Sequence, residues 1–230
     1  MVSPHYDDAP LSLGQSMFDG SLSHHDVTVG IVFGRSSWTR WFYPTRRRAP
    51  IATAIRRAEE QRNAHRFGYR VRVASCEEAI LRLDTADATV FLDPGFDARA
   101  SPEREVVTRV LAGWAGSYDG LVLPLGVGDH IDHKITAATA AGLGVPVAHY
   151  EDRPYACALD DDQLAEVAAA LEPGLRPVHV SGPITDAKVR RVWYPSQFDP
   201  SYLDAMAADI GGQRRERIWI RDDDHPLARG

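Results

Sequence analysis

The sequence predicts a single α/β domain, Rossmann-like, in which a mostly parallel sheet is flanked by helices. Short apolar segments rich in β-branched residues alternate with segments of helical periodicity along the 230 residues. The sequence contains no internal repeat. Such alternation is typical of parallel sheets covered by helices on both faces. The composition, 44% hydrophobic and 25% charged, is that of an ordinary globular chain able to bury a core. We therefore expect one domain over 1–220, followed by a flexible tail over 221–230.

The individual elements follow from the same patterns. Apolar β-branched runs predict strands at Val27–Phe33, Arg70–Ser75, Ala88–Leu92, Gly120–Pro124, Val145–His149, Pro177–Val180 and Arg217–Ile220. Helical patterns between them predict helices at Pro10–Gly20, Ile51–Phe67, Cys76–Leu83, Pro102–Ala115, Asp132–Ala141, Asp162–Leu171, Thr185–Val192 and Pro200–Ile210. Gly68 follows the second helix as a stop signal, and Ser101 precedes Pro102 as an N-cap before a proline at the first helical position.

Charge and cysteine content exclude several classes of protein. There are 26 basic and 32 acidic residues, a net charge of −6, which argues against a general nucleic-acid or anionic-membrane binder. Only Lys134 and Lys188 are lysines; coding bias explains the arginine excess most simply, and anion recognition is the second interpretation. Cys76 and Cys157 are too few for a disulfide framework or a four-cysteine metal site. With neither a signal peptide nor an apolar run of about 20 residues, we expect a cytoplasmic protein without a membrane span.

Two short histidine–aspartate strings carry the chemistry: SPHYDD at 3–8, and GDHIDH at 128–133 after an apolar run. Imidazole and carboxylate together suit zinc and similar divalent ions, and a catalytic zinc takes three protein ligands and keeps one open position. His5 and Asp8 are three residues apart, as are His130 and His133, so one turn can direct both members of a pair to one ion. A capping role remains open for Asp8 or Asp132 alone. The two strings together predict a metal site at the carboxyl ends of the strands.

These strings resemble the motifs of the PIG-L (LmbE-like) zinc-dependent N-deacetylases. The family's first motif, (A/S/P)-H-P-D-D-E, is similar to residues 3–9, and its second, H-x-D-H, matches 130–133. Two weaker matches are an arginine followed by glutamate, alanine and glycine, and a late Y-x-S-Q string with a lysine upstream. They fall at Arg57, Glu60, Ala64 and Gly68, and at Tyr194, Ser196 and Gln197 with Lys188. The resemblance spans about residues 2 to 200.

The resemblance implies a role for each motif residue. His5, Asp8 and His133 would hold Zn²⁺, or Fe²⁺ or another divalent metal that accepts the same ligands. Asp7 would be the general base toward the metal-activated water. His130 would protonate the departing amine or stabilise the oxyanion, and Asp132 would orient and tune His130.

The chain departs from the family pattern at its start and at three positions. Family members usually have a full strand before the first motif, whereas only residues 1–4 precede His5 here, so we expect either a very short first strand or a true start upstream of Met1. Tyr6 stands in place of the family's proline, and Ala9 replaces a glutamate. Some relatives carry a tyrosine two residues before the second motif, where this chain has Gly128. That oxyanion donor is therefore missing or supplied from elsewhere, and Tyr6 is expected either to line the pocket or simply to pack.

Substrate contacts are expected from the aromatic and arginine-rich loop at 34–43. Aromatic faces stack on sugar rings and arginine binds carboxylate or phosphate, so Arg35, Trp38 and Arg40 are predicted to form a substrate lid. A simple aromatic packing loop is the alternative. Glu151 and Asp152 follow a strand and are expected near polar substrate groups, whereas His225 is expected to be solvated in the tail.

The leading hypothesis is a metal-dependent hydrolase that removes an N-acetyl or other small N-acyl group from an amino sugar or its conjugate. Its partner would be a small N-acylated molecule, and an oligomer is possible. One alternative is an amidase of the same fold acting on a thiol conjugate or natural-product intermediate, and another is a catalytically silent sugar-binding homologue. A nucleotide-binding protein is disfavoured, because the glycines at 126 and 128 lack G-x-G-x-x-G spacing.

Overall fold

The structure, a computed structural model, describes residues 1–198, 203–221 and 223–228. Seven strands lie within these residues: β1 (Val2–Ser3), β2 (Thr28–Ile31), β3 (Arg70–Val73), β4 (Leu121–Pro124), β5 (Val147–Tyr150), β6 (Arg176–Pro183) and β7 (Arg215–Ile220). The α-helices among them are α1 (Asp8–Phe18), α2 (Ala49–Phe67), α3 (Ala79–Arg82), α4 (Ala88–Phe91), α5 (Pro102–Ala115), α6 (Ile131–Ala137), α7 (Asp161–Leu171), α8 (Asp186–Arg191) and α9 (Ala207–Gly211).

The strands form two hydrogen-bonded groups that meet at β1 and β4. Strands β1, β2 and β3 pair in parallel in that order, and β4 pairs in parallel with β5. Strand β7 is antiparallel to both β5 and β6, which completes the order β4-β5-β7-β6. Because β1 lies beside β4, the two histidine–aspartate strings, which follow these strands, are brought together. The predicted α/β class with a mostly parallel sheet is confirmed.

One predicted strand is wrong, since residues 88–91 form helix α4 instead. The apolar run there is short, and short apolar runs do not distinguish a strand from a helix by periodicity. The deciding feature is Asp87, whose Oδ1 accepts from the backbone N and the hydroxyl of Thr89, at 2.9 and 2.7 Å, as in a helix-initiating turn. The helix predicted at Cys76–Leu83 is likewise shorter and begins at Ala79. The start of the helix predicted at Pro200–Ile210 lies outside the described residues.

The core is built on both faces of the sheet, as strand alternation requires. Val29 and Ile31 of β2 pack with Phe67 of α2 in one buried cluster. On the opposite face Leu111 and Trp114 of α5 pack with residues of β1 and β4 in a second cluster, whose buried members include Val2, Leu121 and Leu123. Helices therefore cover both faces of the sheet, and α5 packs directly on β1 and β4.

Gly30 shows how closely α5 approaches the sheet. A Cβ on Gly30 would lie 2.4 Å from Cζ3 of Trp114, so the Gly30→Ala protein should lose about 1–3 kcal/mol of unfolding free energy through overpacking. The matched control is Gly113→Ala, next to Trp114 in the same helix, where a Cβ meets nothing within 4 Å. That substitution should instead add about 0.5–1 kcal/mol, because alanine is the better helix former. Urea unfolding measures both, and equal stabilities would contradict this packing.

Helix α1 is interrupted in the middle, and a buried ion pair satisfies the backbone groups that the break exposes. At Leu13 the backbone leaves helical geometry (φ −125°, ψ 16°). The backbone N–H groups of Gln15 and Ser16 donate to the two oxygens of Glu216, each at 2.8 Å. Nζ of Lys188 donates to the carbonyl of Leu11 and lies 3.3 Å from Oε1 of Glu216. This pair fixes the course of the helix that begins with Asp8.

The C-terminal segment differs from its prediction at His225, which is not solvated. Its side chain is buried and its Nε2 lies 3.2 Å from the carbonyl oxygen of Leu121, and burial lowers the pKa of the imidazole. Leu227 packs against the cluster that contains Ile218. Among the described residues, no helix is both long and apolar enough to cross a membrane.

Candidate metal centre

The two predicted strings meet at one point, above the ends of β1 and β4. His5 follows β1 directly, and Asp8 is the first residue of α1. His133 lies in the first turn of α6, after a loop in which Gly126 and Gly128 have φ of +85° and +91°. Those left-handed conformations favour glycine and turn the chain sharply from strand to helix.

Two imidazole nitrogens and the carboxylate of Asp8 come together with a spacing close to that of ligands on a tetrahedral metal. Nε2 of His133 lies 3.3 Å from Nδ1 of His5 and 3.3 Å from Oδ1 of Asp8. Nδ1 of His5 lies 3.5 Å from the other oxygen of Asp8, Oδ2. Metal–nitrogen bonds of about 2.0–2.1 Å put the corners of a tetrahedron about 3.4 Å apart, so the two nitrogens fit two corners, and the Asp8 carboxylate, which faces both of them, can supply a third and leave one for water or substrate.

His130 borders this set and offers a further ring nitrogen. The candidate ligand atoms of His5, His130 and His133 all lie within 4.8 Å of one another, a looser group than the one completed by Asp8. Nδ1 of His130 accepts the backbone N–H of Asp132 at 3.2 Å, so a neutral imidazole carries its proton on Nε2. Burial, and then the charge of His5, hold the pKa of His130 well below its usual range. The geometry therefore suits His130 as a neutral hydrogen-bond donor.

Asp132 orients His5, which corrects the prediction that it orients His130. Its Oδ2 lies 3.1 Å from Nε2 of His5 and accepts the backbone N–H of Ala79 at 2.8 Å. Its other oxygen accepts from Arg82 at 2.9 Å. When a neutral His5 donates from Nε2 to this carboxylate, its Nδ1 is left as the acceptor that faces His133 and Asp8, which is how outer carboxylates commonly tune histidines that bind metals.

Asp152 orients His133 as Asp132 orients His5, a role that was not predicted from the sequence. Its Oδ1 lies 2.7 Å from Nδ1 of His133, and its Oδ2 accepts the backbone N–H groups of Gly126 and Val127 at 2.8 and 3.1 Å. The predicted substrate contact of Glu151 is also not seen, because Glu151 accepts from Arg217 and Trp219. The available signal was a carboxylate just beyond β5, the strand that pairs with β4.

Asp152→Asn should weaken metal binding about 10- to 100-fold. The amide has one acceptor oxygen, whereas Asp152 now serves His133 on one side and two backbone N–H groups on the other. Competition with a chromogenic chelator measures the affinity. Asp162→Asn, at an exposed position of α7, is the control and should bind as the wild type does. Wild-type affinity in Asp152→Asn would contradict the orienting role.

The neighbouring carboxyl groups of Asp7 and Asp8 have pKa values shifted in opposite directions. For Asp8, burial opposes ionisation, but His133 and His5 hold its pKa well below the usual range. For Asp7, burial and the charge of Asp8 raise the pKa to about 6, although Arg56 opposes this. Asp8 is thus permanently anionic, as a ligand must be, whereas Asp7 can exchange a proton near neutral pH.

A cavity of about 600 Å³ opens onto these residues, a size that suits a small organic ligand. Its apolar wall consists of Trp38, Ile80, Ala86, Phe91, Tyr155 and Phe198. Beyond the histidines and aspartates described above, its polar wall consists of Arg40, Arg56, Glu78 and Gln197. An aromatic wall with a few converging polar groups is typical of sites for sugars and similar ligands.

The predicted substrate contacts divide into two groups. Trp38 and Arg40 line the cavity. Arg35 instead forms an ion pair with Glu77 at 3.0 Å and is absent from the cavity wall. Tyr6 is fully buried, with its hydroxyl donating to the carbonyl of Gly34 at 2.8 Å, so its expected place in the pocket is wrong and packing is its role.

The arginine that reaches the site is Arg56, one residue before the one matched to the family. Arg56 is buried, hydrogen-bonds Glu78 and Ser36, and has its NH2 3.8 Å from Oδ1 of Asp7. Arg57 is exposed on the other side of α2. Side chains at adjacent helix positions point about 100° apart. A motif match that is wrong by one residue therefore selects a solvated side chain in place of a buried one.

Tyr155 occupies the space beside Gly128, the position where some relatives have tyrosine. A Cβ on Gly128 would lie 2.2 Å from Cγ of Tyr155. The Tyr155 ring lies edge-on to His133 with a centroid distance of 5.9 Å. An aromatic ring is therefore present at this point of the site, supplied from beyond β5 instead of from the second motif.

Neither a family model nor a curated protein sequence matches the chain, whereas several solved structures do. The A40926 pseudoaglycone deacetylase Dbv21 has 20% sequence identity over 95% of this chain and 94% of its own, with a TM-score of 0.59. The zinc-inhibited form of teicoplanin deacetylase Orf2 has 18% identity over 97% and 98%, with a TM-score of 0.59. The N,N′-diacetylchitobiose deacetylase of Pyrococcus horikoshii has 17% identity over 96% and 82%, with a TM-score of 0.53. The chain therefore has the mixed α/β fold of the LmbE-like deacetylases.

Proposed function

We propose that the chain is a metal-dependent hydrolase of the PIG-L (LmbE-like) family that removes an N-acetyl or other small N-acyl group from an amino sugar or amino-sugar conjugate. The observation that carries the proposal is the cluster of His5, Asp8 and His133, whose ring nitrogens lie 3.3 Å apart and each face one oxygen of Asp8 at 3.3–3.5 Å, with Asp7 in the same cavity. The names of the similar structures, which are deacetylases of A40926 pseudoaglycone, of teicoplanin and of N,N′-diacetylchitobiose, support the reaction class.

The residues around the ligand set can divide the hydrolysis between them. A divalent metal held by His5, Asp8 and His133 would acidify a water molecule and polarise the amide carbonyl. Asp7 accepts the proton of the attacking water and delivers it to the amine nitrogen as the C–N bond breaks, which leaves a carboxylic acid and a free amine. His130, protonated on Nε2, donates a hydrogen bond to the carbonyl oxygen as it gains negative charge.

The apolar wall of the cavity also suits one variant of this proposal. Trp38, Phe91 and Phe198 can stack on a sugar ring and can equally contact the apolar part of a natural-product intermediate, which an amidase of the same fold would hydrolyse. The chemistry and the catalytic residues would be the same, so only a substrate survey separates the two.

Metal analysis and an amine-release screen test the proposal together. Protein purified without chelators should contain about one divalent metal per chain. It should release amine from at least one member of a panel of N-acetyl sugars and their nucleotide, lipid, thiol and glycopeptide conjugates. Zn²⁺, Fe²⁺ and Co²⁺ are compared at one equivalent, because one protein of this fold has a zinc-inhibited form. A chain that binds no metal and releases no amine from any substrate would overturn the proposal.

A further inference from the structure

Gln197 is a buried polar side chain whose hydrogen-bonding groups are unused. It is 7% exposed and lies in the cavity wall. Neither its Nε2 nor its Oε1 has a hydrogen-bond partner within the described part of the chain. Glu59 lies nearby, but both of its oxygens accept from Ser196, at 2.8 and 2.7 Å, and its approach to Gln197 falls short of hydrogen-bond geometry. Buried amides without partners are rare in native proteins, because each lost hydrogen bond to water is uncompensated.

The segment that carries Gln197 is fixed from several sides. The Tyr194 hydroxyl donates to Glu60 of α2 at 2.5 Å, and both the backbone N–H and the hydroxyl of Ser196 donate to Glu59. The carbonyl of Ser196 accepts the backbone N–H of Arg40 at 2.7 Å, which ties the segment to the loop that carries Trp38. The backbone N–H of Gln197 is itself satisfied by the Tyr194 carbonyl at 3.0 Å. The segment that carries the unpartnered amide is therefore held in place in the wall of the cavity that the metal-binding candidates also line.

A carboxamide presents a donor and an acceptor side by side, so its partner must present an acceptor and a donor at similar spacing. Two neutral groups do this, a pair of neighbouring hydroxyls and a second amide. The cavity wall around Gln197 favours the hydroxyl pair, since Trp38 and Phe198 lie in the same wall and aromatic surface beside a planar polar group suits a pyranose ring. We infer that Gln197 is a specificity-determining residue whose amide binds neighbouring hydroxyls of the substrate's sugar ring. The inference rests on the proposed function, because it places a sugar in this cavity.

Replacement by an apolar residue of the same length separates recognition from a structural role. A structural glutamine stabilises the fold, so its loss lowers the melting temperature. Gln197 has no side-chain hydrogen bond to lose among the residues that the structure describes, so Gln197→Met should melt at or above the wild-type temperature. Its affinity for an N-acetylated pyranose should fall about tenfold. Gln61→Met, at an exposed position of α2, is the matched control and should change neither quantity.

Binding is measured by calorimetry in the zinc-loaded Asp7→Asn background, where the ligand is not consumed. The probes are methyl N-acetylglucosaminide, its 3-deoxy and 4-deoxy analogues, N-cyclohexylacetamide, which lacks the hydroxyls, and a linear diamide. We expect protein with Gln197 to favour the hydroxylated sugar over at least one deoxy analogue, and Gln197→Met to bind those two equally.

Three results would overturn the inference. One is a Gln197→Met protein with a lower melting temperature and unchanged affinities, which is the signature of a structural residue. Another is a Gln197-dependent preference for the diamide alone. The last is a failure of every sugar probe to bind; if the wild type still released amine from N-cyclohexylacetamide, the hydrolase proposal would stand without the sugar.

Discussion

Asp7→Asn should retain its metal and lose most of its turnover. The Asp7 carboxyl lies beside the three ligand atoms and lines the cavity, and its pKa of about 6, raised by burial and by Asp8, suits proton transfer. An amide of the same shape cannot accept a proton from water. General acid–base catalysis typically contributes 10²- to 10⁴-fold, so kcat should fall by about that factor. Amine release gives kcat, and elemental analysis of the same preparation gives the metal content.

The neighbouring aspartate supplies the contrasting variant. Asp8→Asn removes a charged ligand, so it should lose metal and activity together, whereas Asp7→Asn should lose activity alone. Asp129→Asn is the control, because Asp129 is about half exposed and pairs with Lys134 at the surface. Full turnover in Asp7→Asn would exclude it as the base, and loss of its metal would identify it as a ligand.

The sequence predicted the fold where local pattern and tertiary environment agree. Helix α5 has the predicted bounds, since a proline at its first position and a clear apolar stripe agree; Ser101 occupies the N-cap position, but its hydroxyl donates to Glu103 instead of capping the helix. The segment at 88–91 forms helix α4 because its three apolar residues and one threonine satisfy either pattern, and the side chain of Asp87 stabilises the first helical turn. Short elements were therefore the unreliable ones.

The site residues that lie within the two histidine–aspartate strings were predictable from the sequence, whereas those outside the strings were not. His5, Asp8 and His133 converge as the resemblance implied, because two adjacent strands deliver them. Asp152 was missed because its contact with His133 depends on the pairing of β5 with β4, which no local pattern encodes. The motif was matched to Arg57 although Arg56 is the arginine near the site, and the reason for this error is different. Helix α2 is rich in charged residues on several faces, so its sequence alone does not say which face is buried.

The arginine excess of the sequence can now be divided by position. Arg56 lies buried between Asp7 and Glu78, and Arg40 lines the cavity. Arg82 holds Asp132, and through it His5. A lysine could supply the charge at these places but not several donors in one plane. Arg35 pairs with Glu77 outside the cavity wall. Coding bias therefore explains an arginine at position 35 as well as substrate recognition would.

His133→Ala should abolish metal binding rather than reduce it. Its Nε2 is within 3.3 Å of both His5 and Asp8, so its removal leaves two ligands where a catalytic site needs three. Metal content should fall from about one per chain to near zero after dialysis, and amine release should fall with it. His65→Ala, at an exposed histidine of α2, should keep both, and circular dichroism should show that all variants are folded.

Two further experiments decide whether Asp8 or His130 is the third metal ligand: restoring metal binding with free imidazole, and replacing His130. The space left by the His133 ring should admit free imidazole, so millimolar imidazole should restore part of the metal binding in His133→Ala but not in Asp8→Asn. His130→Ala should keep the metal, since His130 belongs only to the looser group within 4.8 Å. The opposite pattern, a metallated Asp8→Asn and a metal-free His130→Ala, would replace Asp8 by His130 as the third ligand. The metal would then be bound by three neutral imidazoles, and Asp8 would join Asp7 as a candidate base.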